Sequence, residues 1–161
     1  MRQLLTLCLA VQGKKILLGM KKRGFGAGRY NGFGGKLLEG ETIEAAAKRE
    51  MQEECGVTVT ALEEVGVHEF EFEKDMENIL EVHVFRVDAF EGKPRETEEM
   101  KPEWFDTDAI PFDTMWPDDR FWIPLFLEGK KFEAYFLFGE GDRVLKQDIR
   151  EVESLSFSRG L

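Results

Sequence analysis

The sequence predicts an α+β fold, in which a mixed β-sheet carries helices on its faces. Segments with strand character outnumber the two with helical character. One strand segment alternates Glu69 and Glu71 with Phe70 and Phe72, which is typical of a half-exposed strand. The length of 161 residues suits one domain, and a chain of this size buries roughly 70% of its unfolded surface. We therefore expect a single domain over residues 1–161.

The elements follow in order along the chain. Strands are expected at 4–11 and 15–20; the first resembles a signal peptide only faintly, because a clear small-x-small cleavage site is missing. Helices are expected between Thr42 and Gly56, which fit an N-cap and a helix stop, and from Pro117 to about 127. The other expected elements are strands at 57–72 and 80–87 around a polar turn at 74–78, a loop near 92–94, a strand ending near 104–105, and a closing hairpin of 132–138 and 144–152 around 139–142. The tail is expected to fray after about residue 154.

The first helix places carboxylates where a core should be. At 100° per residue, its apolar stripe consists of Ile43, Ala46, Ala47 and Met51. Glu50 and Glu54, spaced i and i+4, fall on that stripe, and Glu53 lies at its edge, while Arg49 points away. Crowded carboxylates on an inner face repel one another and are costly to desolvate, so a cation is expected to join them. All-oxygen ligands favour Mg²⁺, and the alternative is an exposed helix whose glutamates only add solubilising charge.

Residues 35–57 read G-x5-E-x7-R-E-U-x-E-E-x-G-U, with U apolar. This string resembles the Nudix hydrolase box, a loop-helix-loop that holds Mg²⁺ against the pyrophosphate of a nucleoside diphosphate derivative while water cleaves the phosphoanhydride. The resemblance implies the Nudix fold, a mixed sheet sandwiched by helices. It also implies that Arg49 orients a glutamate, although a surface ion pair of little energetic weight is the alternative. The metal ligands or base that it implies are Glu50, Glu53, Glu54 and the backbone carbonyl of Gly34.

A glycine-rich, basic loop precedes this helix. Seven glycines lie from position 19 to position 35, interleaved with Lys21, Lys22, Arg23 and Arg29. Such a loop suits a triphosphate, because its backbone can approach without a Cβ clash and its cations neutralise the phosphates. It is neither a P-loop nor a dinucleotide fingerprint. A flexible, solvated loop is the open alternative.

A second local string, Trp116-Pro117-Asp118-Asp119, opens the second predicted helix. The two carboxylates could simply cap the helix, where anions are favoured. Beside a nucleotide site, Trp116 could instead stack on a base while the carboxyl groups hydrogen-bond its polar edge. If both carboxyls face one pocket, one of them can retain a proton and act as a donor.

With these strings the chain is similar to a narrower group of Nudix hydrolases, those of vertebrates that act on oxidised purine nucleoside triphosphates. The strings at 19–29, 31–36, 40–44 and 115–119 carry the likeness, which extends from about residue 5 to 152. It implies Mg²⁺-dependent hydrolysis, with Mn²⁺ as a possible substitute, of 8-oxo-dGTP, 2-hydroxy-dATP and related damaged nucleotides to the monophosphate and pyrophosphate. This reaction removes the damaged nucleotides before a polymerase can incorporate them. The substrate-binding positions that it implies are Thr6, Lys21, Phe25, Asn31, Phe33, Gly34, Gly35, Lys36, Phe70, Leu80, Trp116, Pro117, Asp118 and Asp119.

The same resemblance assigns individual roles. Asn31 and the Asp118–Asp119 pair would hydrogen-bond the base, Trp116 would stack on it, and the aromatic rings of residues 25 and 70 would wall the pocket. Glu99 matches a further acidic metal-site or base position, and a plain turn charge is its alternative. Two positions depart from the vertebrate pattern: Tyr30 stands in place of tryptophan, and Leu80 in place of a pocket methionine. Both departures bear on substrate preference rather than on the reaction.

Composition limits the partners. The formal charge of −10 argues against a nucleic acid or an anionic membrane as the main partner. Two cysteines, Cys8 and Cys55, are too few for a disulfide framework, so a reducing compartment is expected: the cytoplasm, with mitochondria and the nucleus as open alternatives. A monomer is expected. The rival functions are a Nudix hydrolase for another nucleoside polyphosphate and a silenced Nudix module that only binds.

Overall fold

The computed structural model describes residues 1–156, and residues 157–161 lie outside the described part. Two helices and eight strands form the fold, together with short 3-10 turns at Phe112–Thr114 and Glu140–Asp142. The elements are β1 (Arg2–Gln12), β2 (Lys15–Lys21), β3 (Tyr30–Asn31), α1 (Ile43–Cys55), β4 (Thr58–Phe72), β5 (Asp75–Glu91), β6 (Met100–Asp106), α2 (Asp119–Leu127), β7 (Lys131–Phe138) and β8 (Val144–Val152).

All eight strands belong to one mixed sheet in the order β3-β2-β1-β5-β4-β7-β8, and β6 also pairs with β2. β1 runs parallel to β5, and β4 runs parallel to β7, while the other pairs are antiparallel. The sequence prediction of a mixed sheet is confirmed. At the centre of the sheet, β5 lies between β1, to which it is parallel, and β4, to which it is antiparallel.

The two helices pack on opposite faces of the sheet. Side chains of a strand alternate between faces, and on β1 Cys8 belongs to the apolar cluster that contains Met51 of α1. Leu9, the next residue, belongs to the cluster that contains Trp122 of α2. The sandwich of a sheet between helices is therefore confirmed.

The limits of α1 agree with the predicted caps. The Thr42 hydroxyl accepts a hydrogen bond from the Ala45 N–H at 3.1 Å. At the other end, Gly56 has φ +78°, and its N–H donates to the Gln52 carbonyl. Each cap is a hydrogen bond between residues three or four positions apart, so the local sequence was sufficient to predict it.

Three expectations need correction. The predicted turn at 74–78 is confined to residues 73–74, and β5 already begins at Asp75, because the β4–β5 hairpin continues its ladder through exposed polar residues. The short strand β3 was not predicted. The tail is still attached at Ser156, whose N–H donates to the Glu133 carboxylate at 2.7 Å; the rest of the predicted frayed tail lies outside the described residues. Within residues 1–156, neither helix has the length and apolarity needed to cross a bilayer.

Candidate active site

The inner face of α1 carries the carboxylates that the sequence placed there. Glu54 is buried, Glu50 is half-buried, and Glu53 lies at the edge with 57% of its side chain exposed. The Gly34 N–H donates to Glu54 Oε1 at 2.9 Å. Burial raises the pKa of Glu54 to about 7 against the opposing effect of this N–H. Glu54 is thus a carboxyl group that can exchange a proton near neutral pH.

Arg49 is not the surface ion pair that sequence reasoning left open. Its side chain is half-buried, and its guanidinium lies 2.8 Å from Glu41, 2.8 Å from Glu50 and 3.1 Å from Glu53. Its Nη2 also donates to the carbonyl of Lys36 at 3.1 Å. Arg49 therefore ties the loop before α1 to the helix and orients two carboxylates.

Gly34 lies where the loop crosses β1. A Cβ at this position would come within 1.8 Å of the Thr6 carbonyl oxygen, so no other residue fits without moving the backbone. Next to it, a Cβ at Gly35 would come within 2.8 Å of the Glu50 carboxylate. These contacts hold the loop against the carboxylates of α1.

The donor set suits a hard divalent cation. Glu50 and Glu54 repel each other, since the charge of Glu50 contributes to the raised pKa of Glu54, and oxygen donors favour ions such as Mg²⁺. In the described residues, however, no three acidic, imidazole or thiol side chains are arranged as a metal site. Arg49 donates hydrogen bonds to Glu50 and Glu53, and Arg23 lies 2.6 Å from Glu99. These three carboxylates are therefore paired with arginine side chains.

The basic loop differs from the prediction of a phosphate cradle. Three of its four cations already pair with carboxylates: Lys22 with Glu96, Arg23 with Glu99, and Arg29 with Asp142. Lys21 instead lines a cavity beside Glu54. Its positive charge lowers the pKa of Glu54, but burial raises that pKa by more. In the part of the chain that the structure describes, Lys21 is the loop cation best placed to meet a phosphate.

A cavity of about 750 Å³ opens beside Glu54 and extends to the start of α2. Trp116 and Phe25 form part of its wall, with ring centroids 5.0 Å apart, and Phe25 is 69% exposed. The predicted residues that line it are Thr6, Lys21, Phe25, Asn31, Gly34, Gly35, Lys36, Phe70, Leu80, Trp116, Asp118 and Asp119. A cavity of this size, apolar with a few polar groups, suits a nucleoside-sized ligand.

Asp118 and Asp119 are both buried at one end of this cavity. Trp122 Nε1–H donates to both carboxylates, at 3.0 Å to Asp118 Oδ2 and 3.2 Å to Asp119 Oδ1. Burial raises the pKa of both groups, and the charge of Asp118 raises the pKa of Asp119 further. The Asp118 side chain makes no capping hydrogen bond to α2, so the helix-cap alternative is wrong for it. The pair stands at the start of α2 and forms a buried acid site there.

In the described part of the chain, the buried side-chain nitrogen and oxygen atoms that lack a hydrogen-bond partner all belong to residues that line this cavity. Within residues 1–156 they are Thr6 Oγ1, both ring nitrogens of His68, and Asp119 Oδ2. Buried polar groups in proteins are rarely left unpaired, and such exceptions call for an explanation. Their convergence on one cavity leaves several polar groups available to a ligand.

The NUDIX domain family matches residues 1–126. This chain belongs to the Nudix family. The oxidized purine nucleoside triphosphate hydrolase of Danio rerio is 54% identical over 153 residues, which cover 95% of this chain and 97% of that protein. The protein of the same name from Mus musculus is 53% identical over 152 residues, which cover 94% and 97%. A crystal structure of the MutT protein of Bacillus halodurans has a TM-score of 0.82 at 26% identity and covers 91% of this chain and 97% of that one.

Family membership agrees with the architecture built from the residues. Both the family match and the structural similarity show the Nudix fold, and Nudix hydrolases generally use divalent metal cations. In this Nudix chain the box occupies α1 and its flanking loops, and it faces the same cavity as the start of α2.

Some predicted residues are placed elsewhere. Phe33 is fully buried and packs in the core beneath α1 rather than against the cavity. Successive residues of an extended segment face opposite sides, and the residues on the cavity side here are Gly32 and Gly34. Pro117 does not line the cavity, and neither does Tyr30, whose hydroxyl donates to Glu103. The carboxylates of Glu50, Glu53 and Glu99 also lie outside the lining.

Sequence reasoning missed several lining residues. His68, Phe72, Val82 and Phe138 line the cavity but lie on three different strands. The alternation of β4 could have suggested His68 and Phe72, since Phe70 was already assigned to the same face. Phe138 required the parallel pairing of β4 with β7, which no local pattern specifies.

Proposed function

We propose that this Nudix hydrolase cleaves oxidised purine nucleoside triphosphates, such as 8-oxo-dGTP and 2-hydroxy-dATP, to the monophosphate and pyrophosphate. The observation that carries the proposal is the buried Asp118–Asp119 pair, which shares one cavity with Trp116 and with Glu54 of the Nudix box. The Danio rerio and Mus musculus proteins, whose names state the hydrolysis of oxidized purine nucleoside triphosphates, support the substrate class. We further propose Mg²⁺ as the metal, with Mn²⁺ able to replace it, and a cytoplasmic monomer.

The base would bind at the α2 end of the cavity. Trp116 offers an aromatic face, and Asn31 offers one amide donor and one acceptor. Oxidised guanine and oxidised adenine present different orders of donors and acceptors, so a fixed set could satisfy only one of them. Two buried carboxyls that share a proton can exchange these roles, and this exchange would let one pocket accept both bases.

The phosphates would lie at the α1 end, beside Lys21. Glu54 is placed to accept the proton of the attacking water there, and its raised pKa suits that role near neutral pH. Arg49 holds Glu50 and Glu53 at fixed positions beside it. A divalent cation would neutralise phosphate charge and polarise the phosphoryl oxygens. Glu50, Glu53, Glu99 and the Gly34 carbonyl would hold it when Glu54 acts as the base, and the three carboxylates would then exchange their contacts with Arg49 and Arg23 for the cation. Water attack breaks the bond between the α- and β-phosphates.

The test is pyrophosphate release from 8-oxo-dGTP by the purified full chain, with Mg²⁺ and with EDTA. We expect release in Mg²⁺ and none in EDTA. Turnover of a dinucleoside polyphosphate but not of 8-oxo-dGTP would assign a different Nudix substrate. Nucleotide binding without turnover of either compound would instead indicate a silenced module.

A further inference from the structure

Arg29 stacks on Trp116 from outside the cavity. Its guanidinium carbon lies 4.2 Å from the centroid of the indole ring, within the range of a cation–π contact. The loop backbone fixes its position, since the Arg29 N–H donates to Gly26 at 3.2 Å and its carbonyl accepts from Lys21 at 3.0 Å. Arg29 does not itself line the cavity, so any effect on a bound base is exerted through its neighbours.

Asp142 holds the guanidinium in place from the loop between β7 and β8. Its carboxylate lies 3.1 Å from Arg29 Nη2, and its N–H donates to the Gly139 carbonyl. Asp142 is the non-glycine residue with a positive φ (+60°) in the described chain, a conformation that aspartate tolerates better than most residues. An exposed ion pair contributes little energy, so its effect here is geometric: it fixes the guanidinium plane over the indole.

The same cation acts on the carboxyl pair. Burial raises the pKa of Asp118 and of Asp119, and the positive charge of Arg29 lowers both. Trp122 Nε1–H also donates to both carboxyls, and the ring of His68 lies 4.6 Å from the Trp122 ring. His68 is neutral near pH 7, because burial lowers its pKa to about 3. Arg29 is therefore a source of positive charge for the pair.

We propose that Arg29, clamped by Asp142, is a positioning residue for base recognition, which sets the plane of Trp116 in the cavity that also holds the Asp118–Asp119 pair. This inference rests on the proposed function for its substrate, but its physical basis lies in residues that the Nudix box does not include. It assigns a role in base recognition to a loop cation that sequence reasoning gave to the phosphates.

Three variants separate the two effects. Arg29→Met removes the charge and keeps the length; Arg29→Lys keeps the charge and loses the planar group; Asp142→Asn removes the clamp. Arg86→Met is the matched control, since Arg86 also pairs with carboxylates, has the same exposed fraction of 28%, and lies away from the cavity. Each would be assayed with 8-oxo-dGTP and 2-hydroxy-dATP across pH.

For Arg29→Met we expect KM to rise about 3- to 30-fold, the range of one cation–π contact, with kcat within about 3-fold of the parent because α1 is untouched. The change of KM with pH should occur at higher pH in this variant than in the parent. Arg29→Lys and Asp142→Asn should also raise KM but keep the pH dependence of the parent. A purely structural role would change none of the pH profiles.

A second readout does not require turnover. In protein with ¹³C-labelled aspartate, the carboxyl signals of the pair should titrate at higher pH in Arg29→Met than in the parent, Arg29→Lys or Arg86→Met. Identical titrations in Arg29→Met and Arg86→Met, together with equal KM values, would overturn the inference. Failure of the parent to hydrolyse either nucleotide would overturn the proposed function, and the titration would still decide whether Arg29 biases the pair.

Discussion

At the scale of single residues, His68 is a buried imidazole whose ring nitrogens have no hydrogen-bond partner among residues 1–156. Its ring lies among Phe70, Trp122, Phe132 and Phe136, and both of its nitrogens are without a partner. An unsatisfied buried polar group costs about 1–3 kcal/mol. We therefore expect His68→Leu, of similar volume, to raise the free energy of unfolding by about 1 kcal/mol or more, measured by urea denaturation at pH 7.

A polar substitution at the same position provides the control. His68→Asn keeps unpaired polar atoms and loses ring contacts, so it should lower the free energy of unfolding. If His68→Leu were less stable than the parent by about as much as His68→Asn, the packing of the ring would outweigh the cost of its unpaired nitrogens. His68 would then not be an energetically unsatisfied group of the cavity.

Glu54 should be the residue whose loss affects catalysis most specifically. Glu54→Gln keeps the shape of the side chain and its hydrogen bond from Gly34 but cannot accept a proton. We expect turnover in Mg²⁺ to fall at least about 100-fold, the lower end for the loss of a general base, with the fold intact by circular dichroism. Glu44→Gln, on the exposed side of the same helix, should behave as the parent, and near-normal turnover by Glu54→Gln would refute its assignment.

Leu80 lines the cavity at a position where the resemblance to the vertebrate enzymes implies methionine. Leu80→Met nearly conserves volume and should cost under about 1.5 kcal/mol in stability. The thioether is more adaptable, so the ratio of kcat/KM for 8-oxo-dGTP and 2-hydroxy-dATP should change. Leu62→Met, which packs near α1 instead, should leave that ratio unchanged. A common factor for all substrates in Leu80→Met would show that residue 80 does not face the base.

At the scale of elements, the start of α2 makes stability depend on pH. Because the pKa values of Asp118 and Asp119 are raised in the folded protein, their protonated forms contribute stability that is complete below about pH 4, the ordinary aspartate range. That contribution is lost as pH rises through the raised values. The free energy of unfolding of Asp119→Asn should therefore fall less between pH 4 and 8 than that of the parent.

The control for this variant is Asp108→Asn, at an exposed turn, whose stability should follow the parent curve. The same Asp119→Asn protein should show an altered substrate ratio, because a fixed amide cannot exchange donor and acceptor roles. If the stability curve of Asp119→Asn ran parallel to that of the parent and its substrate ratio were unchanged, the pair would neither contribute this pH-dependent stability nor recognise the base.

The elements also show which features local sequence can specify. The limits of α1, the inward carboxylates Glu50 and Glu54, and the β7–β8 hairpin follow from caps, periodicity and turn residues a few positions apart. The pairing of Arg29 with Asp142 joins residues more than a hundred positions apart in the sequence, and the core position of Phe33 depends on the strand that it crosses. Such contacts depend on the parallel pairings of β1 with β5 and of β4 with β7, for which the sequence carries no local signal.

At the scale of the whole molecule, the mixed sheet brings two groups of functional residues, from separate parts of the chain, to one cavity. The loop before α1 crosses β1 and lies with Glu54 of the Nudix box at one end of the cavity, while the segment before α2 brings Trp116 and the carboxyl pair to the other. The formal charge of −10 would repel a polyphosphate, so cations at the α1 end are needed for binding. This division predicts that the base site determines substrate choice and the α1 end determines the rate.

The most direct test of that claim is competition between 8-oxo-dGTP and dGTP for the parent enzyme in Mg²⁺, with both monophosphate products quantified. Oxidation alters only the base, so both nucleotides present the same phosphates to α1. We predict that kcat/KM for 8-oxo-dGTP exceeds that for dGTP by at least about tenfold, which one well-placed hydrogen bond can supply. Equal values for the two nucleotides, or a preference for dGTP, would contradict the account.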